Sequence, residues 1–177
     1  MDAAQELLEA GAVGVLPTDT IYGLAARALD QKAVARLYAL KNRRNKPGTV
    51  IASGLDQLIG LGLNARQLKE AERFWPGPVS VIIDCPSKNL EYLRMGSKSL
   101  AVRIPKDEKL RHVLEKTGPL LTTSANTPDD PPSNTIEEAK SYFGDKVDFY
   151  IDGGNLSSRK PSKIITINDL GQVTVLR

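Results

Sequence analysis

Cysteine, histidine and long apolar runs are scarce in this 177-residue chain, and each scarcity excludes a class of protein. One cysteine, Cys85, allows no disulfide within the chain, and we expect it to be a small buried residue near a strand end. One histidine, His112, allows no His–Cys zinc site built by this chain alone, and we expect it on the surface. No stretch of about 18 apolar residues occurs, so no membrane-spanning helix is predicted. Because Met1-Asp2-Ala3-Ala4 does not begin a secretory signal, the sequence indicates a cytoplasmic location.

The usual nucleotide-binding and hydrolase signatures are absent as well. No GxxxxGK[ST] or GxGxxG motif follows a predicted strand, and no GxSxG elbow occurs. A bound nucleotide would therefore need other groups to hold its phosphates. The composition, with 41% hydrophobic and 25% charged residues, is that of an ordinary globular domain rather than a disordered chain. The net charge of +3 permits a phosphate-bearing substrate or RNA without requiring either.

Helical and strand patterns alternate along the chain, which predicts one α/β domain over residues 1–177 with a mixed sheet. Asp30 is the predicted N-cap of a helix that ends near Leu40, and Asn64 caps another. The other predicted helices cover 3–10, 55–61, 107–116 and 135–143, and the helix after Asn64 ends by 74. Strands are predicted at 13–16, 49–52, 79–83, 100–104, 120–123, 147–151, 164–167 and 173–176. The hydroxyl-rich segment 17–24 is interpreted as a turn.

Three polar segments are candidate binding sites. The first, 17–24, could surround a small polar ligand or could be a tight turn with an Asx cap, and local evidence does not separate the two. The second, 41–47, holds four cations, a density that favours a phosphate site over a solvated basic loop. The third, 122–126, follows an apolar strand and suits a carboxylate, an amino acid or a ribose, or is a polar strand exit. Arg103 lies within an apolar strand, so we expect it to meet a carboxylate or to face a wet groove.

Taken in order, the motifs form a recognisable pattern. They are PTDTIYGL (17–24), the KxR of Lys41 and Arg43, PGP (76–78), AVRIP (101–105), TSAN (123–126), DGG (152–154) and PS (161–162). In order and spacing they resemble the YrdC-like threonylcarbamoyl-AMP synthase family over essentially the whole chain. The resemblance implies a twisted mixed α/β sheet with flanking helices and a concave, electropositive cavity.

The resemblance also implies a reaction and a set of site residues. Members of the family join L-threonine, bicarbonate and ATP, with Mg²⁺, into threonylcarbamoyl-AMP and pyrophosphate, and a downstream transferase complex then modifies tRNA. By position, L-threonine would contact Thr20, Tyr22, Arg103, Thr122 and Ser162, with Arg103 pairing its carboxylate. ATP, which would carry the Mg²⁺, would contact Lys41, Arg43, Ser99, Ser124, Asn126 and Arg177. Lys41 and Arg43 would act in catalysis by neutralising phosphate charge. We expect Lys41 to be solvated, so Lys41→Ala should lower turnover without affecting the fold.

The sequence departs from the family pattern at a few positions. Arg44 stands where the family usually has proline, and the loop is one residue shorter, which affects the expected ATP contacts and the role of Lys46. Pro128-Asp129 replaces a Ser-Gly pair, and with Asp130 it adds carboxylates that could bind a metal or be solvated; we expect them to be solvated. Lys163 follows Ser162 where threonine is common. We expect the short, single-domain type of the family, without the extra C-terminal domain of longer members.

Two alternatives compete with this interpretation. Hydrogenase-maturation carbamoyltransferases contain a related domain, but their zinc-binding and acylphosphatase modules need a longer chain with more cysteines. A non-catalytic RNA-binding module could use the same basic cavity, and its affinity would fall steeply with salt. Such a module would not need Arg103, Ser124 and Asn126 in a small-molecule arrangement, which favours the enzyme.

Overall fold

A computed structural model describes residues 2–42, 46–128, 130–168 and 170–177. The strands within these ranges are β1 (Gly14–Pro17), β2 (Tyr22–Arg27), β3 (Thr49–Ile51), β4 (Val79–Asp84), β5 (Ser99–Arg103), β6 (Leu120–Ser124), β7 (Phe149–Tyr150), β8 (Lys163–Ile167) and β9 (Val173–Val175). The α-helices are α1 (Asp2–Glu9), α2 (Gln31–Leu40), α3 (Leu55–Gly60), α4 (Ala65–Ala71), α5 (Glu91–Arg94), α6 (Glu108–Thr117) and α7 (Ile136–Phe143). Short 3₁₀ turns cover Glu72–Phe74, Lys88–Leu90 and Gly144–Lys146. None of the described helices combines the length and apolarity that crossing a bilayer requires.

The described strands form one mixed sheet in the order β7-β1-β2-β6-β3-β5-β4-β8-β9. Parallel pairs join β1 to β7, β3 to β5 and β4 to β8, and the remaining neighbours are antiparallel. Helices flank this sheet, so the predicted fold class, an α/β protein with a mixed sheet, is confirmed. The assignment of all 177 residues to a single domain stays a prediction.

Side-chain caps begin the two helices for which the sequence predicts a capping residue. The Asp30 carboxylate accepts hydrogen bonds from the backbone N–H groups of Lys32 and Ala33, both at 3.0 Å. The Asn64 side chain accepts one from Gln67 N at 3.1 Å. Both predicted caps are therefore confirmed, because each side chain satisfies N–H groups that have no partner within the helix.

Strand β2 was not predicted from the sequence, and it is an interior strand of the sheet. Its burial is continuous from Tyr22 to Ala26, and it pairs with β1 on one side and β6 on the other. The turn that precedes it is shorter than predicted, since Thr18 N donates to Ile21 O at 3.3 Å and the strand begins at the next residue. Gly and Ala disfavour strands in isolation, and a strand buried on both faces shows no alternation. These two properties concealed β2.

The two faces of the sheet are covered differently. Helices α2, α3, α4, α5 and α7 pack on one face, against residues such as Leu24, Val50 and Val102. Helices α1 and α6 pack on the other face, against Leu120 and its neighbour Ile51. On the same second face, Thr49 of β3 and Thr122 of β6 are not covered by a helix and border a cavity. The sheet thus leaves half of one face for a site.

Candidate functional site

A cavity of ≈ 300 Å³ lies over the uncovered half of the sheet face. Strand alternation directs Ser99, Ala101 and Arg103 of β5 into it, while the intervening Leu100 and Val102 join the core on the opposite face. Its described lining contains three cationic side chains and no Asp or Glu. The cations are Lys46, Arg103 and Arg177. Such a lining can bind an anion through cations and hydroxyls together.

Arg103 is buried beside a carboxylate, as its place in an apolar strand predicts. Its Nη2 atom lies 3.2 Å from Asp19 Oδ1, and the two side chains are only 4% and 6% exposed. Its Nη1 atom donates to Thr20 Oγ1 at 3.2 Å. Burial lowers the pKa of Arg103, Asp19 raises it, and the nearby Arg177 lowers it. The guanidinium therefore depends on Asp19 as a counter-charge.

The turn before β2 presents Thr20 to the cavity. Thr18 closes this turn, because its hydroxyl donates to Ile21 O at 2.7 Å and accepts from Thr20 N at 3.1 Å. The Thr18 and Thr20 hydroxyl oxygens lie 2.9 Å apart. A hydroxyl rather than an Asx side chain makes the turn, so Asp19 is available to reach Arg103 and to accept from Lys106 N at 3.1 Å.

Tyr22 borders the cavity, but its hydroxyl is hydrogen-bonded to the loop that contains Gly153 and Gly154. The hydroxyl donates to Gly154 O and accepts from Gly153 N, each at 2.8 Å. Burial raises the pKa of Tyr22 above its ordinary value. A side chain on Gly153 would place its Cβ 2.5 Å from Pro17 Cβ, so only glycine permits this close approach. Tyr22 therefore fixes the 152–154 segment against the turn.

The far wall of the cavity is formed by residues of β4 and the C-terminal hairpin. The hydroxyl oxygens of Ser162 and the fully buried Ser80 lie 3.0 Å apart. Arg177 Nη2 donates to Ser162 O at 3.1 Å. The backbone N–H groups of Leu176 and Arg177 both donate to Ile164 O, at 2.8 and 3.4 Å, which is the two-against-one pairing of a β-bulge. This bulge changes the alternation of side chains and brings Arg177 to the cavity.

Lys41 is buried, so the expectation that it is solvated was wrong. It is 4% exposed, and its Nζ donates to Ser124 O at 2.9 Å, to Asn126 Oδ1 at 2.7 Å and to Asn126 O. The basic cluster 41–47 resembles a surface loop in sequence, and nothing local shows that the end of α2 meets the end of β6. Lys41 and Asn126 thus lie behind Ser124, which itself borders the cavity.

Most of the predicted site residues meet at the cavity. Those in its described lining are Thr20, Tyr22, Ser99, Arg103, Thr122, Ser124, Ser162 and Arg177. Arg43, with Arg44 and Asn45, lies outside the described residues, as does Asp129. Asp130 is exposed, as expected, and its carboxylate accepts from the Thr127 hydroxyl. Cys85 is buried and the His112 side chain is 62% exposed, which confirms both expectations.

The sequence alone missed several residues of the site. Thr49 borders the cavity and its carbonyl accepts from Thr122 Oγ1 at 3.1 Å. Ser97 also borders it, with its hydroxyl 3.4 Å from that of Ser99. Thr49 could have been found from the alternation of β3, in which it shares a face with Ile51. Ser97 precedes β5 and offers no such signal.

Comparison with known proteins gives relatives over nearly the whole chain. The family model Sua5/YciO/YrdC, described as telomere recombination, matches residues 6–177. Threonylcarbamoyl-AMP synthase of Marinobacter nauticus is 34% identical over 169 residues, which cover 93% of this chain and 89% of that protein.

Solved structures with the same fold also match nearly the whole chain. P. abyssi Sua5 complexed with L-threonine has a TM-score of 0.87 and 28% identity over 99% of this chain and 52% of that one, so this chain spans about half of Sua5. E. coli YciO has a TM-score of 0.83 and 26% identity over 99% of this chain and 87% of that one. The chain therefore belongs to the Sua5/YciO/YrdC family.

Proposed function

We propose that this chain is a threonylcarbamoyl-AMP synthase, which joins L-threonine, bicarbonate and ATP into threonylcarbamoyl-AMP and pyrophosphate. The observation that carries the proposal is the cavity itself, where hydroxyls and two guanidinium groups from separate parts of the chain converge. Relatives that bear this enzyme name cover most of the chain, and the solved P. abyssi Sua5 is complexed with L-threonine.

The end of the cavity around Arg103 is assigned to L-threonine. A guanidinium makes charge-assisted hydrogen bonds to a carboxylate, so Arg103 is assigned to the carboxylate of the amino acid. The hydroxyls of Thr20, Thr122 and Ser162 can each donate and accept, which suits the amine and the side-chain hydroxyl. Tyr22 acts by fixing the wall, because its own hydroxyl is held by Gly153 and Gly154.

The other end of the cavity is assigned to ATP. Ser99 and Ser124 border it and supply hydroxyl donors. Arg177, which is near Arg103 and donates to Ser162 O, is assigned to ATP from its place next to the threonine end. Asn126 supports Ser124, whose hydroxyl donates to Asn126 Oδ1 at 2.6 Å. Lys41 would reach a phosphate by exchanging one of its carbonyl partners for a phosphate oxygen. Arg43, although outside the described residues, follows Lys41 closely enough in sequence to serve the same phosphates.

The proposed chemistry requires no protein nucleophile. The neutral amine of L-threonine bonds to the carbon of bicarbonate, and water leaves to give a carbamate. A carbamate oxygen then attacks the α-phosphorus of ATP, and the bond to pyrophosphate breaks. The chain contributes by holding the carbamate in line with the leaving group and by placing cations against the phosphates.

Mg²⁺ is proposed to enter with ATP. No group of His, Cys, Asp or Glu side chains suited to a metal occurs among the described residues, and the described cavity lining contains no Asp or Glu. Phosphate oxygens, which Mg²⁺ prefers in nucleotide sites, would therefore be its ligands. Lys46, Arg103 and Arg177 in the lining support an electropositive cavity, which stays a proposal.

The product needs an acceptor, which identifies the class of partner. Threonylcarbamoyl-AMP is a mixed anhydride and reacts with water, so a downstream transferase complex that modifies tRNA is proposed to take it. We propose a cytoplasmic location, where ATP, bicarbonate and tRNA occur together. A purely RNA-binding module is not favoured, because Arg103 is buried against Asp19 and faces a small cavity rather than an open surface.

Pyrophosphate release tests the proposal. The purified chain is given ATP and Mg²⁺ with neither, one or both of L-threonine and bicarbonate, and release should require both. Release without L-threonine would indicate simple ATP hydrolysis. The absence of both release and ATP binding, together with salt-sensitive RNA binding, would favour the RNA-binding module.

A further inference from the structure

A buried ion pair lies at the back of the cavity, and only one of its members has a role so far. Arg103 is assigned to the substrate carboxylate, whereas Asp19 does not border the cavity. The Asp19 side chain is 6% exposed, although aspartate is seldom buried without a partner. A buried carboxylate next to a ligand-binding arginine calls for a physical explanation.

Asp19 is itself held in place from two directions. Its Oδ2 atom accepts a hydrogen bond from Lys106 N at 3.1 Å, which fixes the carboxylate to the backbone just beyond β5. Its neighbour Thr20 accepts from Arg103 Nη1, while Asp19 Oδ1 lies 3.2 Å from Nη2. Two adjacent residues of one turn thus hold the two ends of the guanidinium.

The pairing with Asp19 leaves hydrogen-bonding capacity on Arg103. Within the described residues, Arg103 Nε has no hydrogen-bond acceptor, and Asp19 Oδ1 accepts no aligned hydrogen bond despite its closeness to Nη2. The contact is therefore mainly electrostatic and does not use up the guanidinium donors. Burial and Arg177 both disfavour the charged form of Arg103, and Asp19 opposes them.

We infer that Asp19 is the positioning residue for substrate recognition: it orients the Arg103 guanidinium so that its remaining donors meet the carboxylate of the amino-acid substrate. This inference rests on the proposed function. It assigns the second residue of the Thr-Asp-Thr turn to the recognition of one chemical group, the α-carboxylate. Loss of Asp19 should therefore weaken the binding of ligands that carry this group and spare those that lack it.

Direct binding of two ligands tests the inference. L-threonine and L-threoninol, which has an alcohol in place of the carboxylate, are titrated calorimetrically into the wild type and Asp19→Asn. The variant is expected to bind L-threonine about tenfold more weakly, the effect of degrading a charge-assisted hydrogen bond. Binding of L-threoninol and of Mg-ATP should change less than about twofold. Asp148→Asn, the same substitution in the Arg36–Asp148 pair outside the cavity, is the matched control and should bind L-threonine as the wild type does.

The possible outcomes distinguish a failure of the Asp19 inference from a failure of the proposed synthase function. Absence of L-threonine binding by the wild type would overturn both. Binding by the wild type with unchanged or tighter binding by Asp19→Asn, or equal loss for both ligands, would overturn the role of Asp19 alone. If Asp19→Asn lacks a cooperative thermal transition, Asp19→Glu carries the test. Moving the carboxylate by one methylene must then lower the threonine-to-threoninol affinity ratio, and an unchanged ratio contradicts the inference.

Discussion

The sheet face that carries the cavity has two halves, which are formed by the same strands. The halves differ in the side chains that these strands direct onto the face. In the covered half, Ile51 of β3 and Leu120 of β6 pack beneath α1 and α6. In the open half, two residues away along the same strands, Thr49 and Thr122 border the cavity. A step of two residues keeps a side chain on the same face of a strand. The change from hydrocarbon to hydroxyl therefore marks the boundary between core and site.

This difference separates stability from recognition. Apolar side chains gain about 25 cal/mol per Å² when a helix covers them, so the hydrocarbon half is closed. A helix placed over the hydroxyl half would bury polar groups without partners, which costs free energy. We therefore expect substitutions in the covered half to change the free energy of unfolding and substitutions in the open half to change ligand binding.

The largest expected effect lies in the covered half. Leu120→Ala should lower the free energy of unfolding by about 2–5 kcal/mol, because it removes buried hydrocarbon and leaves a cavity. Urea unfolding measures this, with Leu29→Ala, at a 58% exposed leucine, as the control. The KM for L-threonine should stay near the wild-type value. A large change in KM with an unchanged free energy of unfolding would contradict the division between a stabilising half and a binding half.

Lys41 tests the boundary between the two roles, because it is buried yet supports the site. Lys41→Met should lower the free energy of unfolding by about 1–3 kcal/mol, since Ser124 O and the Asn126 oxygens lose their donor. Turnover should fall with it. Thermal melting of this variant is compared with Lys69→Met, whose lysine is 79% exposed. An unchanged melting temperature would contradict a stabilising role for Lys41 and would instead agree with the solvated lysine expected from the sequence.

Thr122→Val tests the role of a hydroxyl in the open half. The substitution keeps the shape and removes the hydroxyl that donates to Thr49 O. We expect a rise of about fivefold in the KM for L-threonine, the value of roughly one neutral hydrogen bond. Steady-state kinetics measure it, with Thr174→Val on β9 as the control. An unchanged KM would remove Thr122 from the threonine end.

The smallest effect concerns the Arg36–Asp148 pair, which is outside both halves. The hydrogen bond from Arg36 is the main cause that holds the pKa of Asp148 below its ordinary value of 3.8. A lowered pKa adds stability above pH 3.8, and this stability is lost as pH falls through the lowered pKa. Because the pair is partly exposed, Asp148→Asn should cost only about 0.5 kcal/mol at neutral pH. Urea unfolding at several pH values checks this, and a cost that persists in acid would contradict the ionic origin.

The sequence predicted much of the fold because most elements carry a local signal. Asp30 and Asn64 were identified as caps from residue type alone, and both hold N–H groups as expected. Strand β2 failed this test because Gly and Ala show neither strand preference nor alternation. Only its pairing with β1 and β6, which is a tertiary property, makes it a strand.

The candidate site was predicted through motifs, and its internal contacts were not. The Thr20, Arg103 and Ser162 positions converge on the cavity as expected. The burial of Lys41 depends on its contacts with Ser124 and Asn126, which lie 83 and 85 positions further along the chain. No local sequence pattern indicates such distant contacts. The same holds for Asp19, whose carboxylate meets Arg103 only after β5 folds beside the turn.

Identification of the product with labelled bicarbonate tests the proposed reaction itself. The chain is incubated with L-threonine, Mg-ATP and ¹³C-bicarbonate, and the adenylate is analysed by mass spectrometry. We predict threonylcarbamoyl-AMP that carries the label, formed in step with pyrophosphate and lost when L-threonine is omitted. Pyrophosphate accompanied only by AMP, or an adenylate without the label, would contradict the proposed reaction.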